Sequence, residues 1–271
     1  MKTTFTPEPV EPFQILSSTT SHKREPLVPT LEVFARLGLK DLDLNLNHMV
    51  EGGTPIDEVR RALDGNDQRV HIVSGGWCDF FDRAPRIGHT FASVARQVEM
   101  ARAFGVAGLR LFFGRLPREQ YDPHARDTIV ANITHVSDVH PDVTFYFENH
   151  DGASSQPDVC REVLEHVNRP NVRMNFDPIN FEHAGVECGP ALARVQPLVG
   201  HVHLKGYADG QFCEFGEGAV DLTPILGTLI ASGYRGAFTV EYEGIFDRTL
   251  RLYRSVHRAE SVVRTLLAPL R

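Results

Sequence analysis

The stretch "FYFENHDG", residues 145–152, runs three aromatics straight into a carboxylate, an amide and an imidazole. A glycine-containing turn follows. Aromatic and β-branched runs are strand material. Side chains alternate faces along a strand. Phe145 and Phe147 therefore share one face, and Tyr146, Glu148 and His150 share the other. One face is wholly apolar. The other turns polar at the C-terminal end of the strand.

The same kind of segment recurs along the chain. Candidate strands are 13–18 (FQILSS), 41–46 (DLDLNL), 69–75 (RVHIVSG), 108–113 (GLRLFF), 143–148 (VTFYFE), 172–177 (VRMNFD), 200–205 (GHVHLK) and 237–242 (AFTVEY). Amphipathic stretches between them predict helices over 29–38, 55–65, 90–105, 157–167, 189–199, 222–233 and 247–267. Gly38 marks a helix end. Thr54 followed by Pro55 reads as an N-cap with proline in the first turn. Alternating β and α segments predict a parallel sheet. Eight units of roughly 30 residues fit an α/β fold, a single-domain (β/α)8 TIM barrel over 13–271. Residues 1–12, rich in Pro, Thr and Glu, read as a flexible N-terminal lead-in. An open doubly wound sheet is the alternative. It usually carries a glycine-rich phosphate loop after its first strand, and neither G-x-G-x-x-G nor G-x-x-x-x-G-K occurs here.

Composition narrows the partners. The chain has 271 residues, a formal net charge of −7, 42% hydrophobic and 23% charged residues. That is ordinary for a globular chain with a large core. No Lys/Arg cluster suggests a nucleic-acid face, so no nucleic-acid partner is expected. No apolar run of about 18 residues occurs, so no membrane span is expected. The N-terminus lacks the contiguous apolar core of a signal peptide. Cys78, Cys160, Cys188 and Cys213 form no C-x-x-C pair. That disfavours a cysteine zinc site and fits a reduced, cytoplasmic chain.

Parity extends the reading of 145–152 to the other strands. Leu42, Leu44 and Leu46 oppose Asp43 and Asn45. Val202 and Leu204 oppose His201, His203 and Lys205. Val240 and Tyr242 oppose Thr239, Glu241 and Glu243. The inward set becomes polar toward the C-terminal ends, where barrel enzymes carry their sites. Buried charge is costly unless it is paired or bound to a metal. One inward residue near the end of each late strand gives Glu148, Asp177, His203 and Glu241, spaced 29, 26 and 38 residues apart. Each step is roughly one βα unit, so neighbouring strands would bring all four around one point. Three carboxylates and an imidazole form a mostly oxygen donor set. It favours Mn2+, with Mg2+, Co2+ or Zn2+ open.

The segments "FENHDG", "MNFDPINF", "GHVHLKGY", "FGEGAVDL" and "FTVEYEG" resemble the xylose isomerase-like superfamily of sugar isomerases and epimerases. "ARLGLKDLDL" is similar to the family's second strand. The resemblance implies Glu148, Asp177, His203 and Glu241 as metal ligands. It also implies a divalent-metal-dependent sugar, keto-polyol or keto-acid isomerase or epimerase. Such an enzyme removes a proton next to a carbonyl through a metal-stabilised enediolate, and Glu148 and Glu241 are its catalytic pair. The same enolisation begins a lyase or dehydratase reaction on a keto-polyol or 3-keto-glycoside. A non-catalytic sugar-binding barrel is the third reading, and a complete ligand set argues against it. Relatives are often dimers or tetramers, which leaves homo-oligomerisation open. Several departures matter. Asn180 stands where the common D-x-x-H motif has its histidine, Gly206 follows Lys205, and Asp209 replaces the arginine of ketose 3-epimerases. The histidines of a three-metal endonuclease site are also missing, which argues against DNA cleavage.

Five further residues are candidate substrate contacts: His150, Asn180, Lys205, Trp77 and Arg110. His150 could bond a substrate hydroxyl or be a loop histidine. Lys205 could neutralise an oxyanion or be solvated. Trp77 could wall a sugar or simply pack. Arg110 could hold a phosphate or carboxylate bidentately, or pair with a neighbouring acid in the barrel. Glu243 faces inward by parity. His22, His48 and His183 carry no assigned role.

Overall fold

The computed structural model describes residues 13–268, so the expected lead-in over 1–12 lies outside the described residues. Eight of its strands close into a parallel barrel. They are β1 (Ile15–Ser18), β2 (Asp41–Asn45), β3 (Arg69–Ser74), β4 (Gly108–Phe112), β5 (Thr144–Glu148), β6 (Val172–Phe176), β7 (Val199–Leu204) and β10 (Phe238–Val240). Between β7 and β10 a short antiparallel hairpin, β8 (Gly206–Ala208) and β9 (Gln211–Cys213), stands at the C-terminal rim. Around the barrel run α1 (Leu27–Arg36), α3 (Ile56–Gly65), α4 (Ile87–Ala103), α5 (Pro123–Val139), α6 (Pro157–Val167), α8 (Cys188–Val195), α9 (Thr223–Ala231) and α10 (Arg248–Leu267). Two short helices, α2 (Leu46–Glu51) and α7 (Pro178–His183), follow β2 and β6 directly. Among the described residues no helix is long and apolar enough to cross a membrane.

Both strand faces are buried, which is why the barrel is a packed core and not a pore. Outward-pointing Leu42, Leu44, Phe145, Phe147, Val202 and Leu204 meet the helices and are fully buried. Phe147 packs edge-on against Phe80 and tilted against Phe113. Inward-pointing Asp43, Arg110, Glu148, Asn175, His201 and His203 are equally buried. Lower in the barrel Tyr146 packs against His201, whose Nε2 lies 2.9 Å from Thr239 Oγ1.

Four local expectations are corrected. Helix α5 is a full element that periodicity missed. Its segment is rich in Thr, Ile and Val, which read as strand formers, yet Ala125, Ile129, Ile133 and Val136 fall on one buried face. Asp122 starts it by accepting from Ala125 N (2.7 Å). Thr54 is not the cap of α3. Pro55 takes that place and makes no side-chain cap bond. Leu46 opens α2 instead of closing β2, because Asn45 accepts from the backbone of Asn47 and His48. The last barrel strand is half as long as expected, so Glu241 lies just beyond it.

The turn after the opening stretch needs its glycine. Gly152 has φ +59, and a Cβ there would collide with Leu116 O. That same oxygen accepts from Ala153 N (2.8 Å).

Candidate metal centre

The C-terminal ends of β5, β6, β7 and β10 converge on a buried cluster. Glu148, the last residue of β5, is held from three sides. Arg110 Nε lies 3.1 Å from its Oε2. Asn180 Nδ2 donates to its Oε1 (3.1 Å) and to Asn149 O (3.0 Å). His203 Nδ1 lies 3.6 Å from Oε1. Arg110 in turn donates to Ser74 Oγ (3.2 Å). Asn149 ties β5 to β6, since its amide accepts from Asp177 N (2.9 Å) and donates to Asp177 O (2.8 Å).

Asp177 divides its carboxylate between two tasks. Oδ1 caps α7 by accepting from Ile179 N and Asn180 N, both at 2.9 Å. Oδ2 turns inward, 2.9 Å from Lys205 Nζ. Lys205 is also 2.7 Å from Glu243 Oε2 and 3.8 Å from Glu241 Oε2. It is buried, so the solvated alternative falls away. Glu241 accepts from Ser18 Oγ (3.3 Å), and its Oε2 lies 3.6 Å from His203 Nδ1. The other ring nitrogen of His203, Nε2, faces Asp43 Oδ2 at 3.5 Å. Asp43 itself accepts from Ser74 Oγ (2.9 Å).

Burial and charge pull these groups in opposite directions. Burial alone would push the Glu148 carboxyl up, but Arg110 and His203 beside it hold it down at about 2. Burial would likewise raise Glu241, and His203 and Lys205 keep it well below the usual carboxylate range. Burial disfavours the imidazolium of His203, yet Glu241 and Glu148 raise it well above the ordinary histidine value. Burial also opposes the charge on Lys205, and Asp177 and Glu243 restore it. His201, one layer down, is pushed well below the ordinary value by burial and by His203.

The residues present fit a divalent cation. Both ring nitrogens of His203 and Asp43 Oδ1 are buried and without a hydrogen-bond partner, and Asp177 Oδ2 meets only the Lys205 ammonium. Orphans of this kind need an explanation. One donor atom each of Glu148, Asp177 and His203 lies within 4.8 Å of the others. Glu241 closes on the same Nδ1. Asp43, His201 and His203 form a second grouping of this kind one layer down. With Asp43 on Nε2, however, Nδ1 is the nitrogen left to face a cation.

Above the cluster opens a cavity of about 530 Å³. Trp77 walls it, stacked on Phe112 with ring centroids 4.5 Å apart. His150 sits edge-on to both rings, its Nδ1 3.1 Å from Asp151 Oδ2. Arg115 lies over the Trp77 ring at 4.1 Å.

The structure therefore brings Glu148, Asp177, His203, Glu241 and Lys205 into one cluster. Trp77 and His150 line the cavity above it. Arg110 lines it too, but its guanidinium is engaged with Glu148. The amide of Asn180 is engaged with Glu148 and Asn149. Sequence reasoning left out Asp43, Asn149, Ser18 and Ser74. Asp43 could have been found, since its inward parity on the second strand was already evident. The two serines, being small and unmotivated by any motif, gave no signal.

A closed (β/α)8 barrel with a buried carboxylate–histidine cluster at its C-terminal mouth defines the class of protein. The model of the xylose isomerase-like TIM barrel family matches residues 31–256. The chain belongs to that family. No curated protein is similar enough in sequence to be matched to it. Among solved structures, a D-tagatose 3-epimerase-like protein is 15% identical with a TM-score of 0.79, covering 96% of this chain and 100% of that one. The IOLI protein with a binding zinc atom is 17% identical with a TM-score of 0.77, covering 95% and 98%. The probable 3-DHS dehydratase AsbF from Bacillus anthracis is 15% identical with a TM-score of 0.75, covering 91% and 98%. At these identities the likeness is one of fold.

Proposed function

We propose that the chain is a divalent-metal-dependent isomerase or epimerase that moves a proton next to the carbonyl of a small sugar, keto-polyol or keto-acid. One observation carries this reading. Glu148 and Glu241 approach the same imidazole nitrogen of His203, each at 3.6 Å, on the floor of an open cavity. Glu148, Asp177, His203 and Glu241 would hold the ion. Their oxygen-rich set favours Mn2+, with Mg2+, Co2+ and Zn2+ as alternatives. When bound, the ion supplies a Lewis acid that polarises a carbonyl and stabilises negative charge on oxygen.

The chain's own residues do the rest. Glu148 and Glu241 are ionised and arise from different strands. One takes the proton from the substrate carbon and the other returns it. Lys205 sets positive charge beside the forming oxyanion, a donor already in place before reaction. His150 offers a hydrogen bond to a substrate hydroxyl, and the Trp77–Phe112 stack gives the sugar an apolar wall. Arg110 acts through Glu148 by keeping it charged.

A lyase is the second reading, favoured by the shared fold of the AsbF dehydratase and by the common first step. Incubating metal-loaded protein with a panel of ketoses in D2O tests both. An isomeric product is expected, heavier than the substrate only by the solvent deuterium it carries next to the carbonyl. Loss of one water identifies the lyase. Glu148→Gln and Glu241→Gln should each stop formation of the isomeric product, since the base that remains can exchange only the proton on its own side, and product formation that survives both would overturn the two-glutamate mechanism. Elemental analysis finding no divalent metal would overturn the site itself.

A further inference from the structure

Beside the main cavity lies a smaller one of about 110 Å³, lined by Thr20, Ser21, Lys23, Arg24, Tyr242, Glu243 and Arg248. The two share Thr20, Lys23, Arg24 and Glu243. The small one has room for about three or four waters, the bulk of one phosphate or carboxylate. The turn after β1 is tied there to the segment after β10 and to the start of α10. Tyr242 N donates to Ser21 Oγ (2.8 Å), and His22 Nε2 lies 3.1 Å from Thr249 Oγ1.

Its charge is unbalanced. Lys23, Arg24 and Arg248 have no carboxylate within 4.0 Å among the described residues, while Arg251, Arg254 and Arg258 farther along α10 each have one. The acid on the lining, Glu243, is turned toward Lys205 at 2.7 Å, whose charge it shares with Asp177. Arg248 also stands in the first turn of α10, a turn without an acidic residue, behind the Asp247 side chain that caps the helix by accepting from Leu250 N (3.2 Å). A cation there faces the positive end of the helix dipole and is unfavourable. An anion in the cavity would satisfy all three cations together.

We propose that this cavity is an anion subsite that takes a phosphate or carboxylate at the far end of the substrate. The substrate class is then an anionic ketose or keto-acid. The proposal deepens the function given above and rests on it for the keto end of the molecule. Glu243 separates the subsite from Lys205 and the metal cluster. The reacting carbonyl and the anionic group thus occupy different lobes of one cleft.

The test is calorimetric titration of EDTA-treated full-length chain with inorganic phosphate and, separately, with acetate. Without metal, neither probe can report on the metal centre. Saturable binding at one site is expected. In Arg24→Gln/Arg248→Gln it should weaken by about tenfold or more, because two charge-assisted contacts are lost. Arg264→Gln, which removes one positive charge near the far end of α10, should leave it intact. Phosphate without acetate points to a phosphorylated substrate, and acetate without phosphate points to a carboxylate. Circular dichroism and a Mn2+ titration of the double variant report its folding. No binding of either probe to wild type, unchanged binding in the double variant, or equal loss in Arg264→Gln would overturn the subsite. Failure of Mn2+ to bind wild type would sink the metal-dependent function and leave the subsite standing.

Discussion

Glu148→Gln separates the electrostatic frame of the site from its chemistry. The substitution keeps size and shape but removes the charge that faces Arg110. Both side chains are almost fully buried, at 4% and 3% exposure, and their nearest atoms are 3.1 Å apart. Breaking a buried pair by removing one partner costs about 3–5 kcal/mol. Arg110 keeps Ser74 Oγ and the more distant Gly75 O as acceptors, so the lower end applies. A second route gives the same figure. A carboxyl held at about 2 instead of its ordinary 4.5 contributes about 3 kcal/mol at neutral pH. Urea unfolding of EDTA-treated protein at pH 7 should therefore show the variant about 3 kcal/mol less stable, with an unchanged slope. The pH dependence follows from the sign. A depressed carboxyl stabilises the fold above its unfolded value of 4.5, and the contribution disappears as pH falls from there toward 2. The gap between wild type and variant should narrow over that interval. The double variant Arg110→Met/Glu148→Gln should recover much of the loss, since no charge is left stranded. A gap below about 0.5 kcal/mol at pH 7 is ordinary for a surface substitution. That outcome, or a gap independent of pH, would refute the reasoning.

Asp43→Asn should weaken Mn2+ binding by about 10–100-fold, the usual loss when the group behind a liganding histidine is altered. Calorimetry measures this, and circular dichroism should show an unchanged fold. His22 and His48 are both lowered by burial. They stay neutral in the folded chain while the unfolded chain takes up protons near 6.5. Stability should therefore fall as pH drops below 6.5, and His22→Gln/His48→Gln should flatten that slope in denaturant titrations. Gly75→Ala places a methyl against Arg110 O (2.9 Å), Leu111 Cδ2 (2.8 Å) and the Gln97 amide oxygen. Overpacking against backbone should lower stability by about 1–3 kcal/mol, read from the urea midpoint.

Strand parity carried most of what the sequence disclosed. A barrel strand is buried on both faces, so its two sets of side chains are read independently, and "FYFENH" and "HVHLK" each expose an apolar and a polar set. That placed Glu148, His203 and Glu241 correctly relative to the core. Asp177 came from the same spacing, but its role as the cap of α7 was not read, because no helix was expected over 178–183. What stayed hidden depends on partners far apart in the chain. Nothing local to Ser18 tells of Glu241, 223 residues on. The Arg110 side chain had two open readings because its neighbour, Glu148, sits on another strand. Helix α5 was lost for the opposite reason: its β-branched residues carry local propensity that tertiary packing overrides.

The charge balance of the barrel interior explains why the site was legible at all. Asp43, Glu148, Asp177 and Glu241 put four carboxylates in a volume from which water is largely excluded. Arg110 and Lys205 are the buried basic side chains that reach them. With Lys205 counted against Asp177 alone, two negative charges remain, and Glu243 at the rim shares the same lysine. In the absence of an ion, a proton on His203 offsets one of them, and this is why Glu241 and Glu148 raise that imidazole so far. A divalent cation would offset both and return His203 to the neutral form that a ligand requires. The inward carboxylates that make these strands improbable as ordinary core are thus matched in number to a divalent ion. Lys205 then has a second consequence. Because its one charge is already shared among Asp177, Glu243 and Glu241, the positive charge that an anionic substrate tail needs must come from elsewhere, and Lys23, Arg24 and Arg248 line the smaller cavity.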